Sequence, residues 1–238
     1  MKISKGVEML PLAAGNGQIF NATLLWDDRD VILIDAGLPN MQAEIQQAFE
    51  KQGIPFSRLN KIIITHHDRD HLGSIPEILA AAVQTVTVFV HAEEAPYIEG
   101  KEHLLAKIEK SITALPPEQQ AERRQSYLKR QAVKVDKLLH DGQELPYCGG
   151  IIVIHTPGHT PGHICLYHKP SKTLITGDSI VAKDGKLLGP DPVFTLDLAE
   201  AKTSLKKLLA YEIEQVICYH GGLVSEGVKE QLEELTAG

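Results

Sequence analysis

Cysteine is scarce in this 238-residue chain: Cys148, Cys165 and Cys218 are odd in number and lack the paired spacing of a secreted disulfide framework. A reducing compartment is therefore expected. No uncharged apolar run approaches the roughly 18 residues that a membrane-crossing helix needs. The start, Met1-Lys2-Ile3-Ser4-Lys5, has no apolar export core, so the expectation is a cytoplasmic protein with no membrane partner. Basic charge is also in deficit. Against 31 Asp and Glu stand 24 Lys and Arg, and the net charge of -7 disfavours a partner held by its phosphates. No extended basic or aromatic arm offsets that balance, so no nucleic acid is expected. Gly-x-Ser-x-Gly is absent as well, which leaves serine-nucleophile hydrolysis without its motif.

What is present is a globular composition, 43% hydrophobic and 23% charged, at a length that suits one layered α/β domain spanning residues 1–238. Gln18 to Trp26, a turn at Asp27-Asp28-Arg29-Asp30, and Val31 to Asp35 read as a hairpin. Helical spacing follows over Met41–Gln52, strand texture over Lys61–Thr65, a helix from Ser74 to about Val83, and a strand over Thr85–Val90. Between about residues 92 and 140 the texture turns to charged helix, with Leu105, Ile108, Ile112 and Leu115 on one face and a second helical pattern reaching about Lys137. This stretch reads as a helical insertion. Strands resume at Ile151–His155, Ile164–His168, Thr173–Thr176 and Gln215–Tyr219, with helices over Leu198–Ala210 and from Ser225. Two packed sheets with helices outside accommodate such a chain economically.

Histidine is the outlier: five of its 11 copies fall in two short segments rich in Gly, Asp and Pro. The segment Thr65-His66-His67-Asp68-Arg69-Asp70-His71-Leu72-Gly73 places five metal-capable side chains just past a buried strand. Imidazoles mixed with carboxylates suit zinc, iron or manganese rather than calcium or magnesium. Further on, Thr156-Pro157-Gly158-His159-Thr160-Pro161-Gly162-His163 is a rigid turn able to aim His159. Asp178 in Thr176-Gly177-Asp178 and His220 in Cys218-Tyr219-His220-Gly221-Gly222 close two later strands. Each alone reads as easily as a turn, a cap or a satisfied histidine.

Taken in order, these motifs resemble the metallo-β-lactamase superfamily, whose pattern runs Asp, Thr-His-x-His-x-Asp-His, His, Asp, His; here those are Asp35, the Thr65–His71 segment, His159, Asp178 and His220. The resemblance spans about Gly17 to Gly222 and implies an αββα sandwich, with a dinuclear metal site at one edge. The Thr-Pro-Gly-His-Thr-Pro-Gly turn looks like the glyoxalase II and lactonase branches. By this carry-over His66, Asp68 and His159 hold one ion, Asp70, His71 and His220 the other, and Asp178 bridges. Asp35 and His163 stand behind the ligands, the substrate-binding residues are unassigned, and Asp70 is the catalytic candidate that orients water.

Asp68 departs from the pattern, which has His at this position. Two divalent ions, three carboxylates and one hydroxide then sum to zero formal charge, against plus one for the common set. Two ions per chain are implied, zinc by default, with iron or manganese favoured by the harder ligand set. The resemblance implies a hydrolase acting on a small-molecule ester, thioester or lactone, with neutral acyl substrates ahead of phosphodiesters. Alternatives are a phosphodiesterase, a non-catalytic metal binder, and a di-iron redox protein; the flavodiiron branch also has a carboxylate here, but with a flavodoxin domain this chain is not expected to carry. The insertion reads as a lid, with Tyr97 and Tyr127 as candidate hydroxyls for substrate, and Arg123, Arg124, Lys129, Arg130, Lys134 and Lys137 as a solvated basic face.

Overall fold

The computed structural model describes residues 1–15, 17–113, 115–128 and 131–237. A first sheet of seven strands follows chain order: β1 (Lys2–Ser4), β2 (Val7–Ala13), β3 (Ile19–Trp26), β4 (Val31–Ile34), β5 (Lys61–Ile64), β6 (Thr87–His91) and β7 (Lys137–Leu139). Its early strands pair antiparallel and β4 to β7 pair parallel. The parallel connections carry α1 (Gln42–Lys51), then α2 (Arg69–Leu72) and α3 (Ile75–Ala81), then α4 (Ala95–Ile98), α5 (Leu105–Thr113) and α6 (Pro117–Leu128). A second sheet of six runs in the order β15-β14-β11-β10-β9-β8, from β8 (Glu144–Leu145), β9 (Ile151–His155), β10 (Ile164–His168), β11 (Thr173–Ile175), β14 (Gln215–Cys218) and β15 (Gly222–Val224). Outside it lie the hairpin of β12 (Val181–Lys183) and β13 (Lys186–Leu188), helix α7 (Leu198–Ser204) with a 3-10 continuation to Ala210, and α8 (Val228–Thr236).

Side-chain patterning dictates these layers. Val31-Ile32-Leu33-Ile34 is buried on both faces, as a parallel strand covered twice must be. Leu33 packs outward with Ile45 and Phe49 of α1 and Ile75 and Ile78 of α3, whereas Ile32 and Ile34 face Val153, Leu166 and Ile217 across the sheet interface. On the far side, Leu174 and Val216 meet Leu205, Leu208, Val228 and Leu232. Three apolar layers between four structural ones make an αββα sandwich. Asp27 closes the hairpin of β3 and β4 by accepting from the backbone of Arg29 and Asp30, each at 2.7 Å. The three cysteines are buried and unpaired, as their spacing implied. Among the described residues no helix is long and apolar enough to cross a membrane.

The second helical pattern ends sooner than its charge suggested. Helix α6 ends at Leu128, Lys129 and Arg130 lie outside the described residues, and Lys137–Leu139 pairs parallel with β6 because Val133 and Leu139 are needed in two cores. Strands β1 and β2 precede the expected start of the sheet; Glu8, buried against the N-terminal ammonium at 2.6 Å, hides the apolar run. At the centre of the sheet interface, Leu166 is fully buried. Leu166→Ala should lower unfolding free energy by about 2–5 kcal/mol, read from urea denaturation with an unchanged m-value.

Candidate metal centre

The parallel strands β4 and β5 end at the same edge, so Asp35 and the Thr65–His71 loop emerge side by side, while the turn after β9 and the ends of β11 and β14 approach from the second sheet. Asp68 starts α2 without using its carboxylate as a cap, which leaves the side chain free to turn inward. His159 is aimed by Gly158, whose φ of +121° suits glycine and where a Cβ would lie 2.2 Å from the Ala201 amide nitrogen. Gly221 does the same beside His220: a Cβ there would meet the Ala182 carbonyl oxygen at 1.8 Å.

Two groups of ligand atoms result: His66, Asp68, His159 and Asp178 in one, Asp70, His71 and His220 in the other. In the first, His159 Nε2 lies 3.1 Å and His66 Nε2 3.4 Å from Asp68 Oδ2. In the second, His220 Nε2 lies 3.3 Å from Asp70 Oδ2 and His71 Nε2 3.8 Å from it. Asp178 belongs to both. Its Oδ1 is 3.1 Å from His71 Nε2 and 3.3 Å from His220 Nε2, and its Oδ2 is 3.5 Å from His159 Nε2 and 3.8 Å from His66 Nε2. Ligands held about 2.1 Å from one tetrahedral ion lie about 3.4 Å apart, so these separations fit an ion in each group. Three buried atoms, His66 Nε2, His71 Nε2 and Asp178 Oδ1, have no hydrogen-bond partner. Orphans of that kind are costly unless something outside the chain satisfies them, and all three converge here.

Behind the ligands, Asp35 accepts from the Thr65 amide at 2.9 Å and hydroxyl at 2.8 Å, and lies 2.8 Å from His71 Nδ1. The Thr65 hydroxyl is also 3.0 Å from His66 Nδ1. With Nδ1 donating in both rings, each ring turns its Nε2 to the centre, where an ion would take the place of any proton there. His163 Nε2 accepts from the Asp178 amide at 3.1 Å, and burial lowers its pKa to about 3, so this ring stays neutral.

A family model described as the metallo-beta-lactamase superfamily matches residues 17–220. The chain belongs to the metallo-beta-lactamase superfamily. It is 29% identical, over 98% of its own length and 90% of the other's, to a protein of Bacillus subtilis (strain 168) named probable metallo-hydrolase YflN. A hydroxyacylglutathione hydrolase of Fuscovulum blasticum is 31% identical over 68% of this chain and 48% of that one. Among solved structures, a metallo-beta-lactamase family protein from Thermus thermophilus superposes with a TM-score of 0.77, covering 99% of this chain and 80% of the other at 24% identity, a likeness of fold. Like its superfamily relatives, this protein is a metal-dependent hydrolase with an α/β sandwich.

For this metallo-beta-lactamase relative, several residues without a motif of their own prove to shape the centre. Glu94 accepts from the His67 amide at 3.0 Å and the Gly162 amide at 2.8 Å, and pairs with His67 Nδ1 at 2.5 Å, tying the two ligand loops together. His67, one of the five metal-capable side chains of the Thr65–Gly73 segment, is buried and stacks on Tyr97 at 4.9 Å rather than joining either group. Tyr219 lays its ring over His71 at 3.8 Å, and its hydroxyl bonds the Asp70 carbonyl and the Gly37 amide. Tyr127 accepts from the Leu104 amide at 3.1 Å. Of the basic stretch, Arg124 grips Glu109 through two 2.7 Å bonds, Lys134 pairs with Asp136, and Arg123 lines the cavity over the centre. A further trio, His91, Glu93 and His155, converges near that edge, but the two rings are stacked at 4.0 Å and 15°, so their in-plane lone pairs run parallel rather than toward one ion.

Electrostatically the three aspartates are balanced by cations. Burial opposes a charged His220, yet Asp178 and Asp70 hold its pKa up at about 10, and Asp178 and Asp35 likewise raise that of His71 against its burial. Burial would also raise Asp68, but the Lys107 ammonium keeps it well below the ordinary carboxylate range. Farther out, burial works against Glu94 too, and His67 overcomes it, bringing the pKa to about 2; burial and His155 lower His91 to about 4. Both shifts act in one direction. The Glu94 contribution is full above its unfolded value of 4.5 and is lost as pH falls toward 2, and that of neutral His91 is full above 6.5 and is lost as pH falls toward 4. Urea midpoints of the ion-free chain should fall on acidification below pH 6.5, with a shallower slope between pH 6.5 and 4 in His91→Gln. Glu94→Ala should cost about 3–5 kcal/mol at neutral pH, since it strands a buried partner.

Proposed function

We propose that this protein hydrolyses an ester, thioester or lactone of a small acyl substrate with two divalent ions, zinc or the iron or manganese that Asp68 favours. The observation that carries the reading is Asp178, whose two oxygens face the two ligand groups separately. His66, Asp68 and His159 would hold one ion, Asp70, His71 and His220 the other, and Asp178 would join them. Bound divalent ions supply a Lewis acid for the substrate carbonyl and a water of lowered pKa.

The chain's own residues do the rest. Asp70 points Oδ2 at the cavity floor beside His220, where it orients water for attack. Asp35 and Thr65 fix the tautomers of His71 and His66, and His163 fixes the Asp178 backbone. Above the floor, Phe20, Leu104, Ile108, Tyr127 and Phe194 line a cavity of about 590 Å³ that shields the reacting carbonyl from bulk water. Helices α5 and α6 form part of that wall and act as a lid within a single 238-residue cytoplasmic domain. The relative named hydroxyacylglutathione hydrolase supports the acyl class. Neutrality of the substrate is not required, because Arg69, Arg123 and Lys183 also line the cavity.

Asp70→Ala and Asp178→Ala should each lower kcat/KM by at least about 100-fold, the scale of removing one catalytic group. Elemental analysis of chelator-free protein should give about two ions per chain, the number that seven ligands can hold in two sites. Matched acyl and phosphodiester panels check the class: faster phosphodiester cleavage would replace this reading with a phosphodiesterase, and near-normal turnover in either variant would refute the residue roles.

A further inference from the structure

Lys107 of α5 reaches into the centre from the helical stretch. Its side chain is 7% exposed, and its Nζ contacts Asp68 Oδ2 and lies 2.9 Å from His159 Nε2. An ammonium has three donors and no acceptor, so His159 must accept with the lone pair on Nε2. That nitrogen has one lone pair. An ion in the first group needs the same lone pair and the same Asp68 oxygen, so ammonium and ion exclude each other at this position. Asp68 makes the arrangement workable: the carboxylate that stands where the superfamily pattern has histidine is an anion for the lysine as well as a ligand for the ion. The second group, Asp70, His71 and His220, has no lysine contact among the described residues.

We propose that Lys107 and the first ion occupy one position in turn, so that the lid carries its own cation into the centre and the ion enters only as α5 withdraws it. The mechanics favour this exchange. Among the described residues α5 and α6 have each other as main packing partner and are clasped by the two bonds between Arg124 and Glu109, an arrangement that lets them shift as a pair. Two consequences follow. The second position loads independently of the lid, and the first loads more weakly because displacing Lys107 from Asp68 opposes it. Filling the first position also opens the cavity, of which Leu104, Lys107 and Ile108 form one wall.

This inference rests on the two-position reading of the centre but not on any substrate. The test is a calorimetric titration of the full-length, ion-stripped chain with zinc, beside Lys107→Met and Lys107→Arg, with hydrogen exchange of the α5 amides at each equivalent. Wild type should bind two ions of well-separated affinity, and its α5 amides should exchange faster on the second equivalent. Lys107→Met keeps the apolar stem and removes the ammonium; it should tighten the weaker ion by at least about tenfold, leave the tighter one unchanged, and abolish the metal dependence of α5 exchange. Lys107→Arg, which keeps a cation, should stay near wild type. Identical affinity pairs in wild type and Lys107→Met, or α5 exchange unmoved by the second equivalent, would overturn the exchange while leaving the centre intact. Fewer than two ions in both proteins would overturn the two-position reading and this inference with it.

Discussion

Three carboxylates and four imidazoles are crowded at one edge of the sandwich, and the architecture around them answers the cost of holding that charge out of water. Like-charged aspartates separated by a few ångströms repel unless cations stand between them. Divalent ions are the natural partners, and raised pKa values on His71 and His220, together with the Lys107 ammonium, provide the balancing charge on the chain itself. The orphaned Nε2 atoms and Asp178 Oδ1 mark where the chain alone cannot satisfy its own polar groups.

Such a cluster persists because its supports are covalently distant but mechanically tight. Asp35 on one strand end locks the loop after its neighbour, and Glu94 crosses from the first sheet to the turn after β9. Tyr219 reaches back from β14 to the Asp70 carbonyl and the Gly37 amide. These hydrogen bonds join segments far apart in the chain, and those of Glu94 and Tyr219 couple the geometry of the centre to the packing of the two sheets. The supported floor contrasts with α5 and α6, which among the described residues pack chiefly on each other.

Much of this protein was legible in one dimension. Buried runs such as Val31–Ile34 and Ile164–His168 announce strands, because a doubly covered strand tolerates few polar side chains. The residues that meet at the centre were readable because chelation demands particular side chains at turn positions, and turns with fixed spacing remain recognisable when the rest of a sequence drifts. Asp68 stood out for the same reason. Strands β1 and β2 were not readable, since Glu8 owes its burial to an ammonium next to it in space. Nor was the end of α6, where Val133 and Leu139 answer to cores built from other segments.

What the sequence by itself determined is therefore the layered fold, the order of strands and helices around the centre, and the side-chain types gathered there, each a matter of local pattern or of chemistry carried by single residues. Tertiary structure alone decided that Asp178 divides its oxygens between two groups and that Glu94 and Tyr219 brace them. It alone decided that Lys107 comes to lie between Asp68 and His159. Those relations depend on distances between residues tens to more than a hundred positions apart, which only the packing of the two sheets, and of α5 and α6 over their edge, can set.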